Sequence, residues 1–244
     1  MLARPKTKHE MTPQAGEDPA LRRVGRSTEE LDMRALIVPA LRKRWPGARI
    51  IHELPLRYST NRVDLAAVTE TEIVSVEIKS SRDVMDRLES QLRAFQPICS
   101  RTIAALAPRW NERLPMIERK FEGGTSYIPQ YTETQEIIRK VGGIETWTVD
   151  AAAGLIDVTC SGPYRANRPW LAQLLDMLHV TELVDIADRH RVAKAKRPVH
   201  FNLVSDLTDL LQGREVVKAV CAALRARNAF DKMSDAPIPY PQWT

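Results

Sequence analysis

Three runs of alternating apolar and polar residues stand close together in the first third of the chain, at 48–56, 62–69 and 72–80. A period of two residues is typical of β-strands, and the polar gaps between the runs are short enough for antiparallel hairpins. A fourth apolar run at 101–107 is rich in small residues and predicts a buried strand beside the third. The pattern therefore predicts a sheet that begins with two hairpins.

Segments with helical spacing surround these strands. Ser27 and the acids that follow it predict a helix start. That helix is expected to run to Trp45, with Pro39 kinking or dividing it. A second helix is predicted over about 82–95, and a third over 132–141 behind a threonine cap. The alternation of helices and strands predicts an α/β core.

Two further stretches complete this core. Residues 108–129 contain prolines and a Gly-Gly pair, and we expect an irregular excursion with some helix there. Residues 144–150 and 155–160 flank an AAAG turn and predict a hairpin at the sheet edge. We therefore assign 27–160 to one α/β domain.

The composition changes near 161–163, and strand patterns give way to helical ones. Leucines then recur three or four residues apart, and Thr181 is expected to cap a second helix. We assign 165–230 to a C-terminal helical subdomain. The flanking segments, 1–26 and 231–244, lack periodicity or are rich in proline and predict a flexible leader and a flexible tail.

The 244 residues carry a formal net charge of +5, which permits a polyanionic partner. No run approaches the roughly 18 apolar residues that span a bilayer, and the N-terminus lacks the apolar segment of a secretory signal. We therefore expect a soluble, cytoplasmic protein. Basic residues cluster at 41–45 and 189–197. Either cluster is a candidate phosphate contact, and a solvated helix end or loop is the alternative.

The third strand carries the candidate chemistry. Side chains alternate across a strand, so Val74, Val76 and Ile78 share one face, while Glu77 and Lys79 share the other. Across the predicted hairpin, Asp64 can approach Glu77. Two close carboxylates repel unless a cation lies between them, and Mg²⁺ prefers such oxygen ligands. Spacing alone leaves two interpretations open: a metal site that hydrolyses phosphodiesters, or a surface salt bridge between Glu77 and Lys79.

The sequence Asp64…Glu77-Ile78-Lys79 resembles the signature of the PD-(D/E)xK nucleases, with Val63 in place of the proline that the motif often carries. The wider stretch over about 30–110 resembles bacterial and phage nuclease-like proteins related to the MmcB DNA-repair family. This resemblance implies a restriction-endonuclease-like mixed sheet flanked by helices.

The resemblance also implies a role for particular residues. Asp64, Glu77 and the backbone carbonyl of Ile78 match the metal ligands, and Lys79 matches the catalytic lysine. Gln91 matches the glutamine of a QxxxY helix element, although Phe95 replaces the tyrosine. For a further acidic ligand Glu30 and Glu53 compete, and Glu53 is favoured.

The predicted function is that of a metal-dependent deoxyribonuclease in DNA repair, phage biology or defence, using Mg²⁺ or in its place Mn²⁺. The alternative is a non-catalytic DNA-binding or assembly protein that keeps the nuclease fold. Oligomeric state is left open, a dimer included. The predicted DNA contacts are basic residues near the strands and in the second basic cluster: Arg62, Arg87, Arg189, Arg191, Lys194, Lys196 and Arg197.

Overall fold

The computed structural model describes residues 27–57, 60–160, 162, 166–228 and 230–240. The predicted leader at 1–26 and the last four residues lie outside this part of the chain.

Helix α1 spans Thr28–Arg44 and begins as the sequence predicts. The Ser27 side chain accepts a hydrogen bond from the backbone N–H of Glu30 at 3.1 Å, which caps the helix. The prediction that Pro39 divides the helix is wrong in that respect, because one helix continues through this position. Met33, Ile37 and Leu41 form its buried face.

A six-stranded mixed sheet follows. In order across the sheet, its strands are β1 Arg49–Pro55, β2 Arg62–Val68, β3 Ile73–Lys79, β4 Arg101–Leu106, β7 Ile144–Asp150 and β8 Leu155–Cys160. Neighbours are antiparallel from β1 to β3, parallel from β3 through β4 to β7, and antiparallel again between β7 and β8. The predicted hairpins, the buried fourth strand and the edge hairpin are confirmed, and so is the α/β fold with a mixed sheet flanked by helices.

The helix after β3 is shorter than predicted. It was expected from about 82, whereas α2 spans Leu88–Phe95. The carboxylate of Asp83 accepts hydrogen bonds from the backbone N–H and the hydroxyl of Ser80, each at 2.7 Å. This local bonding competes with helix formation, so an irregular segment links Lys79 to α2.

The irregular excursion predicted for 108–129 is wrong in part. A single 3-10 turn, Pro108–Trp110, is followed by a separate antiparallel hairpin of β5 Ile117–Phe121 and β6 Gly124–Ile128. Helix α3, Glu133–Val141, follows with a capping box between Thr132 and Gln135, which confirms the predicted threonine cap.

The C-terminal region is helical, as predicted. Helix α5 begins at Val180, so the predicted cap at Thr181 is wrong: the carboxylate of Glu182 accepts from the backbone N–H of His179 at 2.7 Å instead. The helices are α4 Leu171–Asp176, α5 Val180–Arg189, α6 His200–Leu210 and α7 Gly213–Ala226. No helix in the described residues is long and apolar enough to cross a membrane.

Two apolar layers hold the sheet. Helix α1 packs on one face, against residues such as Leu65, Val76 and Ile103. On the other face, Phe95 of α2 and side chains of α4–α7 share a core with β1 and β2. The C-terminal helices are therefore continuous with the core of the α/β domain.

The segment predicted as a flexible tail is held against β1 over the part that is described. The carboxylate of Asp235 accepts from the backbone N–H of Ile50 at 2.8 Å, and the Ser234 hydroxyl accepts from that of His52 at 2.8 Å. The buried guanidinium of Arg49 adds hydrogen bonds to the Asp235 carbonyl at 3.0 and 3.1 Å. This segment therefore covers the outer edge of β1 at Ile50 and His52.

Candidate metal and catalytic site

Three acidic residues lie in one row across the first three strands. The β1–β2 register pairs His52 with Leu65 and Leu54 with Val63, which puts Glu53 opposite Asp64. The β2–β3 register pairs Leu65 with Val76, and its next step puts Asp64 opposite Glu77. The three carboxyl groups are also close enough for Glu53 to raise the pKa of Asp64 and for Asp64 to raise the pKa of Glu77. The strand pairing thus gathers the predicted acids at one level of the sheet.

The regular ladder is interrupted at this level. Glu53 has a φ of 54°, the left-handed region that few residues other than glycine adopt. On the other side of Asp64, its side-chain Oδ2 accepts from the backbone N–H of Ile78 at 2.8 Å. A carboxylate therefore stands where backbone pairing between β2 and β3 would otherwise continue.

Burial raises the pKa of Asp64 to about 6, although the nearby Arg34 and the hydrogen bond from Ile78 act in the opposite direction. The Arg34 guanidinium lies 3.7 Å from Asp64 Oδ1. About a fifth of the Asp64 side chain is exposed, so this carboxylate sits at the border between the buried site and solvent.

Glu77 and Lys79 meet as the alternation predicts, and Gln91 joins them. Lys79 Nζ lies 2.7 Å from Glu77 Oε1 and 2.9 Å from the side-chain oxygen of Gln91 on α2. All three side chains are buried, with Glu77 only 1% exposed. The interpretation of Glu77 and Lys79 as a surface salt bridge is therefore wrong, since both side chains are buried.

The second carboxylate oxygen of Glu77 has unusual surroundings. Glu77 Oε2 is buried and has no hydrogen-bond partner among the described residues. Burial, followed by the negative charge of Asp64, raises the pKa of Glu77 to about 8 despite the opposing effect of Lys79. A buried polar atom without a partner costs free energy. It indicates a position where a proton or a cation would be stabilised.

The backbone carbonyl of Ile78 is oriented toward the same place. The carbonyl of Lys79 accepts from the N–H of Ala107, on the β4 side of the strand. Consecutive residues of a strand direct their backbone groups to opposite sides, and the Ile78 N–H accordingly donates to Asp64 on the β2 side. The Ile78 carbonyl therefore faces the β2 side too, beside the two carboxylates.

A buried arginine that was not anticipated completes the site. The guanidinium of Arg34 on α1 donates to Glu30 Oε1 and to Glu53 Oε1, each at 2.9 Å. It also donates to the backbone carbonyl of Asp64 at 2.8 Å and lies 3.1 Å from His52 Nδ1. The side chain is only 1% exposed. One signal for it was present, since Arg34 lies three and seven residues before the buried Ile37 and Leu41.

The predicted ligands fit a divalent cation in part. Asp64, the partnerless oxygen of Glu77 and the Ile78 carbonyl are hard oxygen donors of the kind that Mg²⁺ takes. Glu53 does not join them, because its carboxylate is bound by Arg34. In the described part of the chain, no three or more His, Cys, Asp or Glu side chains group to hold a metal. Two carboxylates and a carbonyl would leave the other positions of Mg²⁺ to water.

The predicted DNA contacts fall into two groups. Arg62 and Arg87 are exposed and flank the site, and Arg87 lies close enough to lower the pKa of Glu77 against the effect of burial. The others lie at the end of α5 and in the connection to α6, apart from the hydrogen bonds and ion pairs of the site: Arg189, Arg191, Lys194, Lys196 and Arg197.

Partners within the chain engage some of these basic residues. Arg189 stacks over the Tyr240 ring at 4.2 Å, and Lys194 pairs with Asp188. In the first basic cluster, Arg42 pairs with Asp235 at 2.5 Å and Arg44 pairs with Glu145. The 41–45 cluster therefore fastens α1 to the fold.

Comparison with known proteins gives a similarity over part of the chain. Residues 24–113 match the family model described as bacteriophage P4 protein cII. This segment contains α1, the first four strands and α2. It therefore includes all of the acidic residues of the site together with Lys79, Gln91 and Arg34. It is less than half of the 244 residues.

Among solved structures, the chain is similar to the SPO1766 protein of unknown function from Silicibacter pomeroyi. The two are 14% identical, and the match covers 68% of this chain and 90% of that one with a TM-score of 0.41. No curated protein matches the chain.

Proposed function

We propose that the protein is a Mg²⁺-dependent deoxyribonuclease that hydrolyses phosphodiester bonds, with Mn²⁺ as a functional substitute. The observation that carries this proposal is the buried Glu77 Oε2, which has no hydrogen-bond partner in the described residues, on a carboxyl close enough to Asp64 for that charge to raise its pKa. Asp64 and Glu77, with the Ile78 carbonyl, would hold the cation. When bound, the cation would activate water and neutralise charge on the phosphate.

The roles of the other residues follow from their contacts. Lys79 carries a positive charge 2.7 Å from Glu77 and would stabilise the negative charge that develops on the scissile phosphate. Gln91 accepts from Lys79 Nζ at 2.9 Å and so positions the ammonium. The hydrogen bond from Ile78 to Asp64 Oδ2 fixes the orientation of that carboxylate.

The substrate is proposed to be DNA held largely through its phosphates. Arg62 and Arg87 flank the site, and the 189–197 cluster adds a second basic surface. Binding of this kind is salt-sensitive and independent of sequence. The similarity of residues 24–113 to bacteriophage P4 protein cII supports a role in phage biology, with DNA repair and defence as the alternative settings. DNA in the cytoplasm would be the target.

A second candidate function is a non-catalytic DNA-binding or assembly protein with the same fold. The observation that favours it is the burial of Glu77 and Lys79 away from solvent. Glu77 is 1% and Lys79 5% exposed, and Lys79 Nζ already contacts Glu77 Oε1 at 2.7 Å. A protein of this kind would bind DNA equally well with and without a divalent cation.

One assay separates the two candidates. Supercoiled, linear, single-stranded and branched DNA are incubated with the protein in Mg²⁺, in Mn²⁺ and in EDTA. The nuclease proposal expects cleavage of at least one substrate with metal and none in EDTA. Lys79→Ala should abolish it. Lys140→Ala, which removes an exposed lysine paired with Glu89, should cleave like the wild type. DNA binding without cleavage in either metal would favour the second candidate.

A further inference from the structure

Among the described residues, the ion pairs of the site's acids are made with two cations, Arg34 and Lys79. Arg34 lies among Glu30, Glu53 and Asp64, with distances of 2.8 Å, 2.9 Å and 3.7 Å from Nη2 to their carboxylate oxygens. Lys79 contacts Glu77 through Oε1. Between these two cations lie Asp64 and the second oxygen of Glu77. At the Glu53 end of this row, Arg34 occupies the position beside the carboxylate. At the Glu77 end, Oε2 has no hydrogen-bond partner among the described residues.

At the Glu53 end, several contacts hold Arg34 in place. The Arg34 guanidinium is held by the Asp64 carbonyl at 2.8 Å and lies 3.1 Å from His52 Nδ1, as well as contacting the two glutamates. Its side chain is only 1% exposed. A guanidinium cannot lose its charge in a protein, and the cost of burying it is offset only by such partners. A divalent cation at Glu53 would have to displace this arginine.

We propose that the site binds a single divalent cation, between Asp64 and Glu77, and that Arg34 is the fixed cation that prevents a second ion from binding at Glu53. This inference rests on the proposed function and deepens it. Arg34 is a positioning residue under this proposal. It orients Asp64 through the backbone carbonyl and excludes Glu53 from the set of metal ligands.

The test is a calorimetric titration of Mn²⁺ into the full-length protein, without DNA, with the stoichiometry as the readout. The wild type is expected to bind one Mn²⁺ per chain. Asp64→Asn and Glu77→Gln should each lose this binding. Glu53→Gln should keep one ion with an affinity less than about tenfold weaker, the lower end of what the loss of an outer contact costs. These variants test the assignment even if Arg34 variants do not fold.

Arg34→Gln, checked for folding by circular dichroism, should bind a second Mn²⁺, since Glu30 and Glu53 lose their shared cation. Arg42→Gln is the matched control, because Arg42 lies on the same helix and pairs with Asp235. It should bind one ion. Two ions in the wild type, one ion in folded Arg34→Gln, or loss of binding in Glu53→Gln would overturn the inference while leaving a metal-dependent nuclease intact. No Mn²⁺ binding by the wild type would instead remove the proposed function itself.

Discussion

Glu77→Gln is expected to stabilise the metal-free protein at neutral and alkaline pH. The carboxyl of Glu77 is buried, its Oε2 has no hydrogen-bond partner in the described residues, and its pKa is raised from 4.5 to about 8. Gln keeps the shape and an oxygen that can still accept from Lys79. It removes the charge that burial and Asp64 disfavour.

The magnitude follows from the two pKa values. As pH rises, the unfolded chain releases the Glu77 proton near 4.5, while the folded protein holds it until about 8. The stability contributed by this group is therefore fully present below 4.5 and is lost as pH rises through the folded value. Each pH unit in that window is worth about 1.4 kcal/mol. The loss for the wild type then reaches roughly 4 kcal/mol at pH 8.

The assay is urea unfolding followed by circular dichroism, in EDTA, at several pH values from 4.5 to 8.5. The free energy of unfolding of Glu77→Gln should exceed that of the wild type by about 4 kcal/mol at pH 8 and by no more than about 0.5 kcal/mol at pH 4.5. Comparison at each pH removes the contribution of other titrating groups.

Glu145→Gln is the matched control. Glu145 is equally buried, at 1% exposed, but its carboxylate accepts from Arg44 and from Trp147 Nε1. Loss of this charge should lower stability at pH 8, because Arg44 keeps only a neutral acceptor. Equal stability of wild type and Glu77→Gln at pH 8, or a less stable variant, would show that the folded protein does not disfavour the charge of Glu77, contrary to this prediction.

Three further substitutions test the surroundings of the site by urea unfolding. Gln91→Ala should lower the free energy of unfolding by about 1–3 kcal/mol, because the buried Lys79 loses an acceptor. Ser90→Ala, on the exposed side of α2, should be close to neutral, and equal effects of the two substitutions would contradict the Lys79–Gln91 contact. Phe95→Ala should lower the free energy of unfolding by about 3–5 kcal/mol, because it leaves a cavity in the core shared by the sheet and the C-terminal helices. A loss below about 1 kcal/mol would mean that the sheet and these helices do not share a core. Arg49→Met should lower the free energy of unfolding by about 2–3 kcal/mol, because the guanidinium binds carbonyls of α7 and of the following segment. It should also speed proteolysis after residue 227, and an unchanged rate would mean that Arg49 does not hold this segment in place.

The chemistry of β3 was predictable because it depends on local alternation. Glu77 and Lys79 are two residues apart in a strand, so their side chains meet whatever the rest of the chain does. Asp64 required only the short hairpin between β2 and β3. Gln91 on the next helix followed from the resemblance to a known motif. Predictions of this kind use contacts that are short in sequence.

Other features depend on contacts that are distant in sequence or on competition between local bonds. Arg34 reaches Asp64 across 30 residues, and only its position on the buried stripe of α1 signals it. The start of α2 at Leu88 depends on the Asp83 side chain, which bonds Ser80 instead of capping a helix. The β5–β6 hairpin is exposed along nearly all of its length, so it lacks the alternation that reveals strands with one buried face.

The proposed nuclease activity is tested most directly by the single-turnover cleavage rate of an end-labelled DNA substrate in Mg²⁺, with the wild type compared with Lys79→Ala. Affinity for the same DNA is measured in parallel in Ca²⁺. We expect metal-dependent cleavage by the wild type and a rate at least about 100-fold lower for Lys79→Ala, with DNA affinity changed only a few-fold. Cleavage by Lys79→Ala at the wild-type rate, from preparations shown to be free of other nucleases, would contradict this expectation.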